Sequence, residues 1–319
     1  MIARFRLGAA SQVIEIASDD GYLLQYFQAR GIPVLGIAPA TNVAEAARAK
    51  GIATDIAFFG HATACALRAA GRAPDLIVAN KVLAHVPDLN DFVAGLAHLL
   101  PPRGAITIEI PHLLALIEHT QFDTIYHEHF SYFSLLSAER VLAHHGLTVF
   151  DVEELPTHGG SLRLFAGHRD AHEIQPSVAS LRAREREAGL DGPAAYAGFA
   201  AKVAATRDGV RAFFKHTRRD GALVLGYGAP AKGNTLLNHC DIWPEQMPFT
   251  VDRSPHKQGL LLPGTRIPVR HPDAIAEARP DFLFILPWNL TGEIMRQMAF
   301  IRGWSGRFVV LIPALRILA

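Results

Sequence analysis

The chain has 319 residues, half of them hydrophobic and 19% charged, enough apolar material for more than one packed core and far from the composition of a disordered protein. Lys and Arg total 31 against 30 Asp and Glu, and no basic run is interleaved with aromatics; this excludes a nucleic-acid footprint and makes a small molecule the expected partner. Cys65 and Cys240 are the only cysteines and show no Cys-x-x-Cys spacing, which excludes a disulfide framework and a zinc ribbon and fits a reducing, cytoplasmic compartment; no stretch approaches the length of a membrane span.

The apolar run Gln12 to Ile16 predicts a strand, broken at Ser18-Asp19-Asp20-Gly21 and followed by a helix from Tyr22 to Arg30. The alternation continues with a strand at Val34 to Ile37, a helix at Val43 to Lys50, a strand at Asp75 to Ala79, a helix from Leu89 to Leu100 and a strand at Ala105 to Ile110. Such alternation implies a parallel sheet covered on both faces. Glu173 to Arg219 is rich in Arg, Glu and Ala and predicts one or two amphipathic helices interrupted at Gly189 to Pro193. A second α/β series follows: strand Ala222 to Leu225, the turn Gly226-Tyr227-Gly228-Ala229-Pro230, a helix from Ala231 to about His239, then strands at Pro248 to Val251, Asp281 to Leu286 and Phe308 to Ile312. The expected organisation is a first α/β domain over residues 1–168, a helical connector over 169–220 and a smaller α/β domain over 221–319.

In an open α/β sheet ligands sit beyond the carboxyl ends of the strands, where Ser18 to Gly21 falls. Gly21 permits close backbone approach, and Asp19 and Asp20 accept hydrogen bonds from a cationic or hydroxylated ligand, such as the ammonium and ribose of S-adenosylmethionine, rather than from a pyrophosphate. An acidic helix N-cap without a ligand is the other reading of the same residues.

The run Val13-Ile14-Glu15-Ile16-Ala17-Ser18-Asp19-Asp20-Gly21-Tyr22-Leu23-Leu24 resembles the first motif of class I S-adenosylmethionine-dependent methyltransferases, in the variant of the C-methyltransferases that act on nucleotide-linked 4-keto deoxysugars. Gly36-Ile37-Ala38-Pro39, Phe58-Phe59-Gly60, Ala79 to Asp88, Tyr126 to Tyr132, His158 to Arg163, Gly226 to Thr235 and Leu286 to Asn289 follow that family in order, so the resemblance spans nearly the whole chain. It implies a Rossmann-like methyltransferase domain, the connector and a second, smaller Rossmann-like domain that contacts the sugar nucleotide. The cofactor would lie against Ala17, Ser18, Asp19, Asp20, Gly21, Leu23, Leu24, Ala38, Pro39, Phe59, Gly60, Asn80 and Lys81. Members of the family usually begin with a cysteine-rich zinc domain, and this sequence opens at the methyltransferase sheet. Where the family has an acid for the cofactor ribose at the end of the second strand, this chain has Ala38, a loss expected to weaken cofactor binding about ten- to a hundredfold. Lys81 stands where a second Asn is expected, placing a cation near a cationic cofactor.

Methylating a carbon next to a ketone requires removal of its α-proton, stabilisation of the enolate and an aligned methyl donor. Tyr126-His127-Glu128-His129 supplies a phenol, two imidazoles and a carboxylate, and His85 follows the strand that ends near Ala79. A histidine suits the first step because imidazole ordinarily titrates near neutrality. The resemblance implies His129 as general base, with Tyr126, Glu128 and His85 positioning it or binding the sugar, and His158, Arg163, Tyr227, Lys232 and Asn234 on the substrate. Of the 16 histidines, His112, His119, His144, His145 and His239 read as structural. A metal on His85, His127 and His129 is not expected, because Glu128 would alternate away from its neighbours in an extended segment.

The second glycine turn, with Lys232 opening the next helix, has the build of an anion site, and Asp252 falls where a ribose-binding acid would lie. No Gly-x-x-Gly spacing completes a dinucleotide fingerprint, which disfavours an oxidoreductase. Two other readings stay open on sequence: a methyltransferase of a different acceptor, and a binding or scaffold protein with weakened cofactor affinity.

Overall fold

The computed structural model describes residues 1–319, which divide into two compact units, residues 1–114 with 128–192 and residues 115–127 with 193–319. The first unit is built on β1 (Val13–Ile16), β2 (Val34–Ala38), β3 (Thr54–Ile56), β4 (Leu76–Asn80), β5 (Ala105–Pro111), β6 (Leu147–Leu155) and β7 (Ser161–His168). They form one seven-stranded sheet in the order β3-β2-β1-β4-β5-β7-β6. β1 is buried throughout, Ile14 and Ile16 packing into one core and Val13 into the other, as expected of a strand covered on both faces. The sheet departs from the all-parallel expectation at one edge, where β7 runs antiparallel to β5 and to β6. That hairpin reverses the chain so that β7 starts beside the carboxyl end of β5, Ser161 pairing with Pro111.

Helix ends are well specified. Asp88 caps Leu89–Leu99 by accepting the Asp91 N–H, and Ser134 with Ser137 forms a capping box on Leu135–His144. The helix Ala231–His239 has the bounds its sequence predicts. The span 169–220 is not a separate body: Pro176–Glu187 lies in the first unit, and Phe199–Arg219 in the second.

The second unit carries β8 (Val224–Tyr227), β9 (Thr250–Val251), β10 (Val269–Arg270), β11 (Phe282–Ile285), β12 (Arg307–Val310) and β13 (Arg316–Leu318). Their order is β10-β9-β8-β11-β12-β13, parallel except for β13. Both units are thus α/β, each a mainly parallel sheet with an antiparallel edge. No helix is long and apolar enough to cross a membrane.

Candidate active site

β1 runs into a turn in which Ala17 (φ 57°) and Asp19 (φ 48°) adopt left-handed backbone. Such conformations are uncommon outside glycine and gather at ligand sites. Gly36 on β2 makes the turn possible, since a Cβ there would lie 2.3 Å from Ser18 Oγ. Ser18 is fully buried as a result.

Of the five buried side-chain atoms without a hydrogen-bond partner, three stand at the carboxyl ends of the paired strands β1 and β4: Glu15 Oε2, Ser18 Oγ and Asn80 Oδ1. Each such atom costs roughly 1–3 kcal/mol. Their concentration marks a place where a polar ligand would complete the bonding. Glu15 is 1% exposed, and burial, reinforced by Asp19, pushes its carboxyl up to about 8. Asp19 is raised by partial burial and by Asp20, and the Tyr22 phenol is raised by burial and by Glu15, Asp19 and Glu109. An edge this rich in carboxyl groups fits the ammonium and hydroxyl groups of S-adenosylmethionine.

The remaining expected cofactor residues divide. Leu24 is fully buried in the core, and Leu23 is half-buried at the start of its helix. Asp20 is turned to Lys50, 2.5 Å away in a solvent-exposed ion pair that holds its carboxyl low. Phe59 packs edge-on against Phe92 at 5.4 Å, and Gly60 is buried at the N-cap of the helix His61–Ala69. Ala38 is buried at the end of β2, Pro39 beyond it is exposed, and the neighbouring strand offers exposed Ile56 and then Phe58.

Lys81 (φ 54°) directs its ammonium to His158 Nε2 and lies 3.9 Å from Glu109 Oε1. Burial lowers its pKa, and Glu109 opposes the shift. Glu109 also receives Arg163 at 3.3 Å and the Thr157 hydroxyl at 3.1 Å, while Arg163 reaches Glu153 at 2.9 Å. Lys81, assigned by sequence to the cofactor, and His158 and Arg163, assigned to the substrate, therefore form one network around Glu109. Sequence reading missed Glu109 as it missed Glu15. Both are acids inside otherwise apolar strand runs, which is the signal that could have found them.

The chain leaves the first sheet at His112 and returns at Phe133, where the two residues form a β-bridge and the Leu113 N–H donates to the Phe133 carbonyl at 2.9 Å. Glu185 fastens this base: fully buried, it accepts from His112 Nε2 at 2.8 Å and from the N–H groups of Leu135 (2.7 Å) and Leu136 (2.9 Å). Those two amides belong to the first turn of Leu135–His144, which has no carbonyl of its own to offer them. Within the excursion, the Phe130 and Ser131 N–H groups both donate to the Ala84 carbonyl, at 2.8 and 3.3 Å. This tether sets His129 beside His85, ring centroids 4.9 Å apart at 64°, with Tyr132 edge-on to His129 at 5.6 Å. Both histidines are half-buried. The boundary between the compact units falls between His127 and Glu128, both exposed; Tyr126 lies on the second unit's side, its ring 6.3 Å from that of His127.

In the second unit the glycine turn is closed by its own residues. The Gly228 N–H donates to the Val251 carbonyl at 2.6 Å and the Ala229 N–H to Asp252 Oδ2 at 2.8 Å, while Asp252 Oδ1 takes the Ser254 N–H. The amides expected for an anion, and the acid expected for a ribose, are spent on holding the turn. Tyr227 is likewise a core residue, 5% exposed with its hydroxyl donating to Gln297 at 3.0 Å. Asn234 accepts from the Asn238 amide one turn along its helix. Lys232 donates to Asn289 at 2.8 Å and sits over the Trp288 ring at 4.4 Å, and Trp288 donates to buried Asp123 at 2.6 Å. Burial raises the Asp123 carboxyl to about 6 against the pull of Trp288 and Lys232.

Residues 2–152 match the family model described as a methyltransferase domain, and residues 156–313 match the one described as the C-methyltransferase C-terminal domain. The C-methyltransferase NovU of Streptomyces niveus is 37% identical over 320 residues, covering 100% of this chain and 76% of the relative. Among solved structures, the putative methyltransferase complexed with the Trm112 activator of Haloferax volcanii aligns with a TM-score of 0.42 at 14% identity, over 52% of this chain and 86% of that one. The 1,6-didemethyltoxoflavin-N1-methyltransferase of Burkholderia thailandensis, with bound S-adenosylhomocysteine, aligns with a TM-score of 0.39 at 16% identity, over 53% and 75%. On the full-length match and the two domain matches, this chain belongs to the C-methyltransferase family and is an enzyme that takes its methyl group from S-adenosylmethionine.

Proposed function

We propose that this C-methyltransferase acts on the carbon adjacent to the ketone of a nucleotide-linked 4-keto deoxysugar, with His129 as the general base. The observation that carries the reading is the His85–His129 pair, anchored through the Ala84 carbonyl just beyond the β4 end that bears the unpartnered Asn80 Oδ1. When bound, S-adenosylmethionine supplies an electrophilic methyl group. An imidazole nitrogen of His129 takes the α-proton as the carbon–hydrogen electron pair moves into an enolate; that pair would form the new carbon–carbon bond to the donor's methyl group as the methyl–sulfur bond breaks and its electrons leave on the sulfur of S-adenosylhomocysteine. His129 afterwards yields the proton to solvent. His85 holds the His129 ring in place, and Tyr126 and Glu128 orient the sugar. His158 and Arg163, held by Lys81, Glu109 and Glu153, present a polar, charge-balanced wall on which sugar hydroxyls can bond.

The test separates proton removal from methyl transfer. With a nucleotide-linked 4-keto deoxysugar in heavy water and no cofactor, the enzyme should exchange the α-proton, read by mass spectrometry. The His129→Ala protein should lose about 10²- to 10⁴-fold in exchange rate, the usual worth of a positioned base. Exchange at the parental rate in that variant would remove His129 from the role.

A further inference from the structure

The helix His61–Ala69 opens directly after Phe58-Phe59-Gly60 and packs against Leu89–Leu99 at very close range. A Cβ on Gly95 would lie 2.8 Å from the Gly60 carbonyl, and one on Gly60 would lie 2.0 Å from Asp91 Oδ2. Asp91 Oδ1 further accepts the His61 N–H at 3.2 Å, so the start of one helix is bonded to the side of the other. This close crossing brings together three side chains that the active site does not use. His61 and Cys65 are one turn apart on the same helix face, with Cys65 Sγ 3.8 Å from His61 Nδ1. His98 on the other helix brings its ring centroid to 5.2 Å from that of His61. One ligand atom from each of the three lies within 4.8 Å of the others.

We propose that His61, Cys65 and His98 form a binding site for a borderline-soft divalent cation of the zinc class, with three protein ligands and a fourth position open to solvent. The donor set is two imidazoles and a thiol with no oxygen, which selects against calcium and magnesium and for zinc-like ions. Tetrahedral zinc, with bonds of about 2.3 Å to sulfur and 2.0 Å to nitrogen, calls for a sulfur–nitrogen separation of about 3.5 Å. The observed 3.8 Å needs only small side-chain rotations to close. Exposed His61 and His98 and half-buried Cys65 leave ions an entry path. Binding takes the proton off the Cys65 thiol and releases it to solvent, so affinity rises with pH. The cation would staple the first turn of His61–Ala69 to the last turn of Leu89–Leu99, beside the Phe59-Gly60 segment.

Cobalt(II) titrated into the chelator-stripped full-length protein is the test. One equivalent should give the visible bands of a tetrahedral site together with near-ultraviolet thiolate-to-metal absorption, and zinc should displace both. The thiolate band reports Cys65 alone, because Cys240 is fully buried and its thiol is pushed up to about 12. Cys65→Ser should abolish that band and weaken zinc binding at least about tenfold, since even a lost supporting hydrogen bond costs that much. His98→Gln should keep the band and weaken binding by a similar factor, and it decides the matter if the serine variant fails to fold. Cobalt bound without a thiolate band, or zinc affinity unchanged in both variants, would place the metal on other surface histidines and overturn the site.

Discussion

Replacing Glu15 with glutamine keeps the shape of the side chain and removes its titration, and the structure sets the size of the consequence. The carboxyl ordinarily titrates near 4.5 and is pushed to about 8 in the fold, so between those values the folded state holds a proton that the unfolded chain has lost. The native protein therefore binds more protons than the unfolded one, and stability falls as pH rises through this window. The contribution is fully present below 4.5 and is lost as pH climbs through about 8. At about 1.4 kcal/mol per pH unit, the parental enzyme should lose about 4 kcal/mol relative to Glu15→Gln between pH 5 and pH 8. Denaturant melts of both proteins across that range measure the difference directly. Cofactor binding gives a second reading: a cation settling on this edge ionises Glu15, so calorimetry at pH 7 in buffers of different ionisation enthalpy should show close to one proton released by the parent and none by the variant. A stability difference that does not change with pH would refute the reasoning.

The end of β2 offers a gain-of-function test: Ala38→Asp restores an acid for the cofactor's ribose and should tighten S-adenosylmethionine binding about tenfold or more, measured by calorimetry. Unchanged affinity would mean that the ribose does not reach this position. Glu185→Ala strips three hydrogen bonds from the base of the excursion that carries His129 and should cost about 3–5 kcal/mol of unfolding free energy. In the same variant kcat should fall while cofactor affinity holds, because β1 and β2 do not depend on that base; a parallel loss of cofactor binding would assign Glu185 to stability alone.

Eight of the ten parallel strands were legible to within a few residues because each carries an apolar run, and β8, read two residues early, shows the scale of error; β3 and β10, only three and two residues long and partly polar, gave no such run and were passed over. The hairpin β6–β7 was not legible. β6 alternates buried and half-exposed positions, Asp151 and Glu153 among the latter, as an edge strand does, and a search for continuous apolar runs passes over it. The helices of 169–220 were readable, but their allegiance was not. Glu185 looks like one more charge on an Arg-rich amphipathic helix until its partners, His112 and Leu135, arrive from distant sequence. Local patterns likewise suggested an anion site at Gly226–Pro230, and only the fold shows Asp252 already occupying the Ala229 amide.

Charge along the strand ends also answers the objection that Lys81 raises. A lysine beside a cationic cofactor would repel it, but this ammonium is directed at His158 and Glu109, and Arg163 is bound to Glu109 and Glu153. The cations of the β4–β7 side are thus matched by acids of their own, and Glu15 and Asp19 at the β1 end remain to meet a positive ligand. Methyl transfer removes the sulfonium charge, so a cofactor seated on this acidic edge would carry one positive charge fewer once the reaction is over. Its hold on the product should therefore be weaker than its hold on the donor. Glu15→Gln should narrow that gap by weakening S-adenosylmethionine more than S-adenosylhomocysteine, and equal weakening of the two would place Glu15 against the ammonium that both share.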